Sequence, residues 1–349
     1  MSAPAATAVS VEAIVADVRE RGDVALAFWS ARFDATTWEA PPRAVPEGDV
    51  PEAALVAAAD AVRRFHAAQR PADLEVEVAP GVTLTRRWVP LRVVGLYVPT
   101  RLISSLVMTA VPAQVAGVER VVVCTPPSGA GAVAAAARVI GVDEVYAVGG
   151  AQAVAAMAYG TATIPAVDKI VGPGGGAVNE AKLLVSRDVA IDLPAGPSEV
   201  VVVADDDVDA ELIDQEVAAQ LEHGPDSRAH VVRVGDPEAA LARVESLAPE
   251  HVALVGARAE ALAGRIRNAG AVFVGRYSPV PVGDYATGAN HVLPTGGRAR
   301  STGGLGLEAF LKPVTVQRVT REGLDRLAPT VRALATFEGL AHHAAAVDR

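Results

Sequence analysis

The sequence predicts an α/β protein with two doubly wound, mainly parallel sheets and small helical appendages at its N- and C-terminal ends. Three observations lead there. Short apolar runs rich in Val and Ile alternate with Ala-rich helical stretches, the cadence of a parallel sheet covered on both faces. The chain has 349 residues, more than one core usually serves, which favours two main domains. Apolar residues make up 51% of it but aromatics only 4%, so the interior must be filled by Ala and Val, as when helices pack closely on sheets.

The elements follow in order. Val11 to Phe33 carries apolar and charged residues at helical spacing, and its RGD at Arg21 to Asp23 reads as a helix and turn. A second helix is expected from Glu52 to Gln69, with His66 in a structural place on it. LRVVGLYV, starting at Leu91, opens the first sheet; a turn at PT and a helix ending at Val118 follow. Next come VVVC at Val121 to Cys124, a helix from Gly131 to Ile140, VYAV at Val145 to Val148 and a helix after Gly149. KIVGPGGG and SEVVVVADD supply two more strands. A less continuous unit runs from His230 through Val272 to Val274, and Thr320 to Val347 reads as helices. The expected layout is therefore a helical and strand segment at 1–90 packing on the second α/β domain, a Rossmann-like domain at 91–200, an abbreviated second one at 201–300 and a helical tail at 301–349.

Charge and cysteine content exclude several function classes. A formal charge of −10 repels phosphate backbones, so nucleic acid is not an expected partner. Cys124 is the single cysteine, which forbids an intrachain disulfide and a cysteine-rich zinc site and fits a reducing cytoplasm. The N-terminal stretch lacks the basic start and apolar core of a secretory signal, and no apolar run demands a membrane span.

Chemistry concentrates in the second half, around five of the seven histidines. QLEHGPDS sets Gln220 and His223 three apart, on one face if a helix continues through both. Asp284 in VGDYATGANHVLPT and His343 in EGLAHHAAAV add a carboxylate and an imidazole. Were the four to converge, they would form an N2O2 shell suited to a borderline ion such as Zn2+. Glu250 and His251 in LAPEHVAL can divide proton and water chemistry if they face a pocket; a helix cap or surface turn is the plainer alternative. His291 and Glu338 would suit a basic or imidazole-bearing substrate. VGPGGG at Val171 to Gly176 precedes a helical stretch and fits either an anion cradle or a tight turn; it is neither a P-loop nor GxGxxG.

Taken together, IVADVRERGDVALAFWSARFD, PLRVVGLYVP, MTAVPAQVAGV, VYAVGGAQAVAAMAYGT, DKIVGPGGG, IDLPAGPSEVVVVADD, QLEHGPDS, LAPEH, GDYATGANHVLPT and EGLAHHAAAV resemble the histidinol dehydrogenase family, in its order and over nearly the whole chain. The resemblance implies oxidation of L-histidinol through an aldehyde to L-histidine with NAD, and a homodimer whose sites borrow tail residues across the subunit interface. It implies Gln220, His223, Asp284 and His343 as zinc ligands and Glu250 and His251 as the catalytic pair. Ser198, His291 and Glu338 fall on substrate-contact positions, Tyr97 and Gln152 on cofactor-contact positions. A paralogue acting on another amino or hydroxy alcohol, and a zinc-stabilised binding protein without productive NAD binding, are the alternatives. The chain departs from the family pattern in a shortened stretch before LAPEH, in TRLISS at Thr100 to Ser105, and in Gly175 and Ala177, which stand where an asparagine and an aromatic are usual.

Overall fold

The computed structural model describes residues 9–38, 41–194 and 196–349, which fall into two compact units: the chain up to Gln69 together with Leu91–Phe310, and Arg70–Pro90 together with Leu311–Arg349. In the larger unit, α1 (Val11–Arg21) starts on the side chain of Ser10, which accepts the Ala13 N–H, and ends at Gly22. Gly22 has φ 55°, so the chain turns within RGD, as the sequence predicts, and resumes as α2 (Asp23–Phe33). Val11, Ile14, Val15 and Val18 of α1 and Leu26 and Trp29 of α2 join the core of the first sheet. After α3 (Glu52–Ala67) the chain passes into the smaller unit as a hairpin, β1 (Leu74–Ala79) and β2 (Val82–Pro90), turned by Pro80 and Gly81.

The first sheet is built from β3 (Val93–Tyr97), α4 (Ile103–Ala116), β4 (Arg120–Thr125), α5 (Ala130–Val139), β5 (Val145–Ala147), α6 (Gly150–Tyr159), β6 (Lys169–Val171), α7 (Gly176–Val185) and β7 (Ala190–Ile191). Its strands pair in parallel in the order β5-β4-β3-β6-β7. Winding goes outward from β3 on one side and returns on the other, so the switch point lies between the carboxyl ends of β3 and β6. The second sheet comprises β8 (Glu199–Ala204), α8 (Ala210–Leu221), β9 (Arg228–Arg233), α9 (Pro237–Leu247), β10 (His251–Val255), the single turn α10 (Ala257–Glu260) and β11 (Ala271–Val274), followed by α11 (Val280–Tyr285). It is also parallel, in the order β11-β10-β8-β9. Val200 to Ala204 are buried without a break, as expected of a central strand with both faces covered. Two parallel sheets flanked by helices are the class that the sequence predicts.

The smaller unit contains an element that the periodicity does not announce. β12 (Leu311–Val319) pairs antiparallel with β2 along its whole length, from Leu311 opposite Pro90 to Val319 opposite Val82, and β1 completes a three-stranded sheet. α12 (Arg321–Phe337) begins on Thr320, whose hydroxyl accepts the Gly323 N–H at 3.1 Å, and α13 (Ala341–Ala345) follows it.

Candidate active site

The expected chemical residues of the larger unit gather at the amino-terminal edge of the second sheet. β10 pairs with β8 so that His251 stands opposite Val200, which brings Glu250 beside Ser198 and Glu199. The Glu250 carboxylate is buried; its Oε2 accepts the Ser198 hydroxyl at 2.5 Å and the Glu199 N–H at 3.0 Å. Burial pushes its pKa up to about 7 against these two bonds, with the nearby Asp284 and Glu199 charges raising it further. The plainer reading of Glu250 and His251 as a cap or surface turn is therefore corrected: both side chains lie inside.

His251 is buried too, and burial, aided by the fields of His223 and His291, lowers its pKa to about 4. Its ring is neutral near pH 7. Neither ring nitrogen makes a hydrogen bond of good geometry, although the Glu199 backbone comes near enough to oppose the lowering; Nδ1 stands 3.6 Å from Glu250 Oε2 and Nε2 3.9 Å from Asp284 Oδ1. Buried polar atoms left unpaired cost about 1–3 kcal/mol each, and such atoms in a cluster mark a place where something binds.

Asp284 comes from α11 and is buried, with its pKa raised by desolvation and pulled back by His223. The backbone oxygen of Asp284 lies 3.0 Å from His291 Nδ1, and His291 Nε2 lies 3.3 Å from the Ser105 hydroxyl of α4. A carbonyl can only accept, so Nδ1 carries the hydrogen and Nε2 offers a lone pair. Burial holds the His291 pKa down at about 4, so this ring too stays neutral.

α8 ends at Leu221, so a continued helix is not what joins Gln220 and His223. A turn does: the His223 N–H and Nδ1 both lie against the Gln220 carbonyl, at 3.3 and 3.2 Å. The Gln220 side chain is buried with neither its amide oxygen nor its nitrogen partnered. An amide oxygen in that condition fits a metal ligand, and the Asp284 carboxylate and His223 imidazole are the right donors beside it. Among the described residues no three His, Cys, Asp or Glu side chains already form a metal cluster; an amide ligand lies outside that class. Glu338, the C-cap of α12, and His343 in α13 are exposed and belong to the smaller unit.

The two sheets end differently. At the first sheet's switch point Tyr97 closes β3, and its buried hydroxyl accepts the Gly150 N–H at 3.1 Å, at the start of the helix that carries Gln152. Across the switch, Gly172 follows β6 with φ 122° and presses so closely on the Tyr97 carbonyl that any Cβ would collide with it. Gly175 and Gly176 face open space. At the second sheet's switch point the crevice is filled by the chain itself: Asp205 accepts the N–H groups of Arg258 and Ala259, both at 2.9 Å, at the first turn of α10. A carboxylate there meets N–H groups of the kind that can bind an anion.

The model of the histidinol dehydrogenase family matches residues 2–237 and 228–349, nearly the full chain. The chain belongs to the histidinol dehydrogenase family. It is 41% identical to the histidinol dehydrogenase of Methanosarcina barkeri, over 97% of this chain and 91% of the relative, and 43% identical to that of Natronomonas pharaonis, over 97% and 92%. The crystal structure of histidinol dehydrogenase from Elizabethkingia anophelis superposes with a TM-score of 0.89 at 32% identity, covering 99% of this chain and 93% of that one. The two matched stretches overlap at residues 228–237, from β9 to the start of α9.

Several site residues escape a reading of motifs. Ser105 lies inside TRLISS, and its contact with His291 joins residues 186 positions apart, a proximity that no local pattern encodes. Lys182 sits at an apolar position of α7, fully buried and paired with the equally buried Asp192; its ammonium also bonds the carbonyls of Gly172 at 3.0 Å and Leu193 at 3.2 Å. Asp192 in turn accepts the Gly172 N–H at 2.7 Å. A lysine within the apolar face of a helix was the available signal.

Proposed function

We propose that this chain oxidises L-histidinol through the aldehyde to L-histidine with NAD, using Glu250 and His251 for the proton and water chemistry. The observation that carries this reading is the buried cluster at the edge of the second sheet, where a carboxylate with its pKa near 7 adjoins a neutral imidazole with both nitrogens open.

The first oxidation removes a hydride from the alcohol carbon and a proton from its hydroxyl. NAD supplies the hydride acceptor, and it would lie at the first sheet's switch point against Tyr97 and Gln152. His251, neutral and unpartnered, takes the hydroxyl proton. The second oxidation needs water added to the aldehyde before another hydride can leave. Cys124 cannot provide a covalent route, because its thiol is fully buried in β4 and burial pushes its pKa far up. Glu250 would deprotonate that water: half ionised near pH 7, it combines basicity with the right charge state. Ser198 and the Glu199 N–H hold the carboxylate in one orientation while it does so.

Gln220, His223, Asp284 and His343 would hold a Zn2+ ion, which supplies Lewis-acid binding for an alcohol oxygen or a neighbouring amine or imidazole nitrogen. His291, with its Nε2 acceptor, and Glu338 suit the basic end of the substrate. We place Glu338 and His343 in the site of a second copy, so the working form is a homodimer. Among the described residues no helix is long and apolar enough to cross a membrane. The test is NADH formation by the zinc-loaded protein over histidinol, histidinal and a panel of other amino and hydroxy alcohols, with zinc measured on the same sample. Two NADH per histidinol are expected, and no zinc-dependent NADH from any of them would refute the reading.

A further inference from the structure

We propose that Asn290 is the positioning residue of His291, and that Pro112 creates the anchor to which Asn290 is tied. The role rests on His291 being a substrate contact, as read above. Pro112 stands inside α4 and has no N–H, so the carbonyl of Met108, four residues earlier, lacks its helical donor. Met108 is buried, which denies that carbonyl bulk water, and an unpaired buried carbonyl is costly. The Asn290 side chain meets the need: its Nδ2 donates to Met108 O at 2.6 Å.

The remaining amide groups of Asn290 are also engaged. Oδ1 accepts the Val292 N–H at 2.9 Å, closing a tight turn around His291. Nδ2 lies 3.4 Å from Nε2 of His66, a fully buried imidazole of α3 whose Nδ1 donates to the Val62 carbonyl at 2.9 Å. The His66 tautomer thus leaves Nε2 as an acceptor facing the amide nitrogen. Reversing the Asn290 amide would set oxygen against oxygen at Met108, so a single orientation survives.

One face of α4 therefore serves as the template for residues 290–292. Met108 O fixes Asn290, and Ser105, one turn earlier, meets His291 Nε2. The Asp284 carbonyl holds the other side of the ring. His291 is clamped between neighbours far apart in sequence, with Asn290 setting the backbone between them.

The test uses the zinc-loaded enzyme with histidinol and NAD, in parent, Asn290→Ala, His291→Ala, the double variant and Pro112→Ala. Asn290→Ala should raise the histidinol KM about tenfold, the worth of one or two buried hydrogen bonds, with the NAD KM within about twofold of the parent. In the His291→Ala background the same change should add less than about twofold, because the residue acts through the missing ring. An equal rise in both backgrounds, or a rise in both KM values together, would overturn the positioning role. If His291→Ala itself leaves the histidinol KM unchanged, the substrate-contact reading fails and this role with it. Pro112→Ala keeps every buried polar side chain and returns a helical N–H to Met108 O in competition with Asn290. It should raise the histidinol KM at an unchanged or higher Tm, and a parent-like KM there would show that the freed carbonyl is not the anchor.

Discussion

Replacing Glu250 by Gln should abolish aldehyde oxidation and yet stabilise the metal-stripped protein at alkaline pH. Glutamine is nearly isosteric, and its Oε1 can still accept the Ser198 hydroxyl and the Glu199 N–H. The magnitude follows from the buried carboxyl, whose pKa stands at about 7 against an ordinary 4.5. Between those values the folded protein holds a proton that the unfolded chain has released, so stability falls as pH rises. The contribution of Glu250 is fully present below pH 4.5 and gone above pH 7, a difference of roughly 3 kcal/mol. His251 works in the opposite sense: its pKa of about 4 makes stability rise from there towards 6.5, which masks the Glu250 effect in the parent. Subtracting parent from variant at each pH isolates Glu250, because both carry His251. Urea unfolding after chelation should show Glu250→Gln gaining on the parent by about 2–3 kcal/mol between pH 5 and pH 8. A difference independent of pH, or one of the opposite sign, would show that the Glu250 carboxyl is not held protonated by burial.

Other consequences can be measured separately. His223→Ala should lose most bound zinc by elemental analysis and most NADH formation, while far-UV circular dichroism stays at the parent value; full zinc occupancy would remove His223 from the ligand set. Lys182→Met strands the buried Asp192 carboxylate beneath Gly172, and urea unfolding should reveal a loss of about 3–5 kcal/mol; a loss under about 1 kcal/mol would mean that the pair is not buried as described. Mixing Glu250→Gln with His343→Ala should restore part of the activity that each lacks, through hybrid dimers with one intact site, and a fully active isolated monomer would contradict shared sites. In the parent, aldehyde oxidation should climb with pH through about 7 as Glu250 ionises, whereas a flat profile from pH 6 to pH 8 would take the base role from it.

By itself the sequence determined the class of the fold and offered a set of candidate reacting groups. Buried parallel strands write themselves as unbroken runs such as Val200 to Val203, and Gly22 or Pro80–Gly81 mark breaks through backbone geometry that other residues disfavour, so both signals are local. Residue types also limit chemistry: seven histidines and one cysteine already narrowed the candidates to metal and proton-transfer groups. Tertiary structure decided everything that depends on distant neighbours. The pairing of β2 with β12 joins strands more than two hundred residues apart, and β12 alternates too weakly to announce a strand in a tail otherwise read as helical. That Glu250 lies inside rather than capping a turn follows from β10 entering the sheet beside β8. Its proton affinity comes from the water that this packing excludes, a property of the surroundings that the side chain does not carry on its own. The same holds for Asp205, an ordinary acidic residue in SEVVVVADD until α10 folds over it and its carboxylate accepts two N–H groups of that turn.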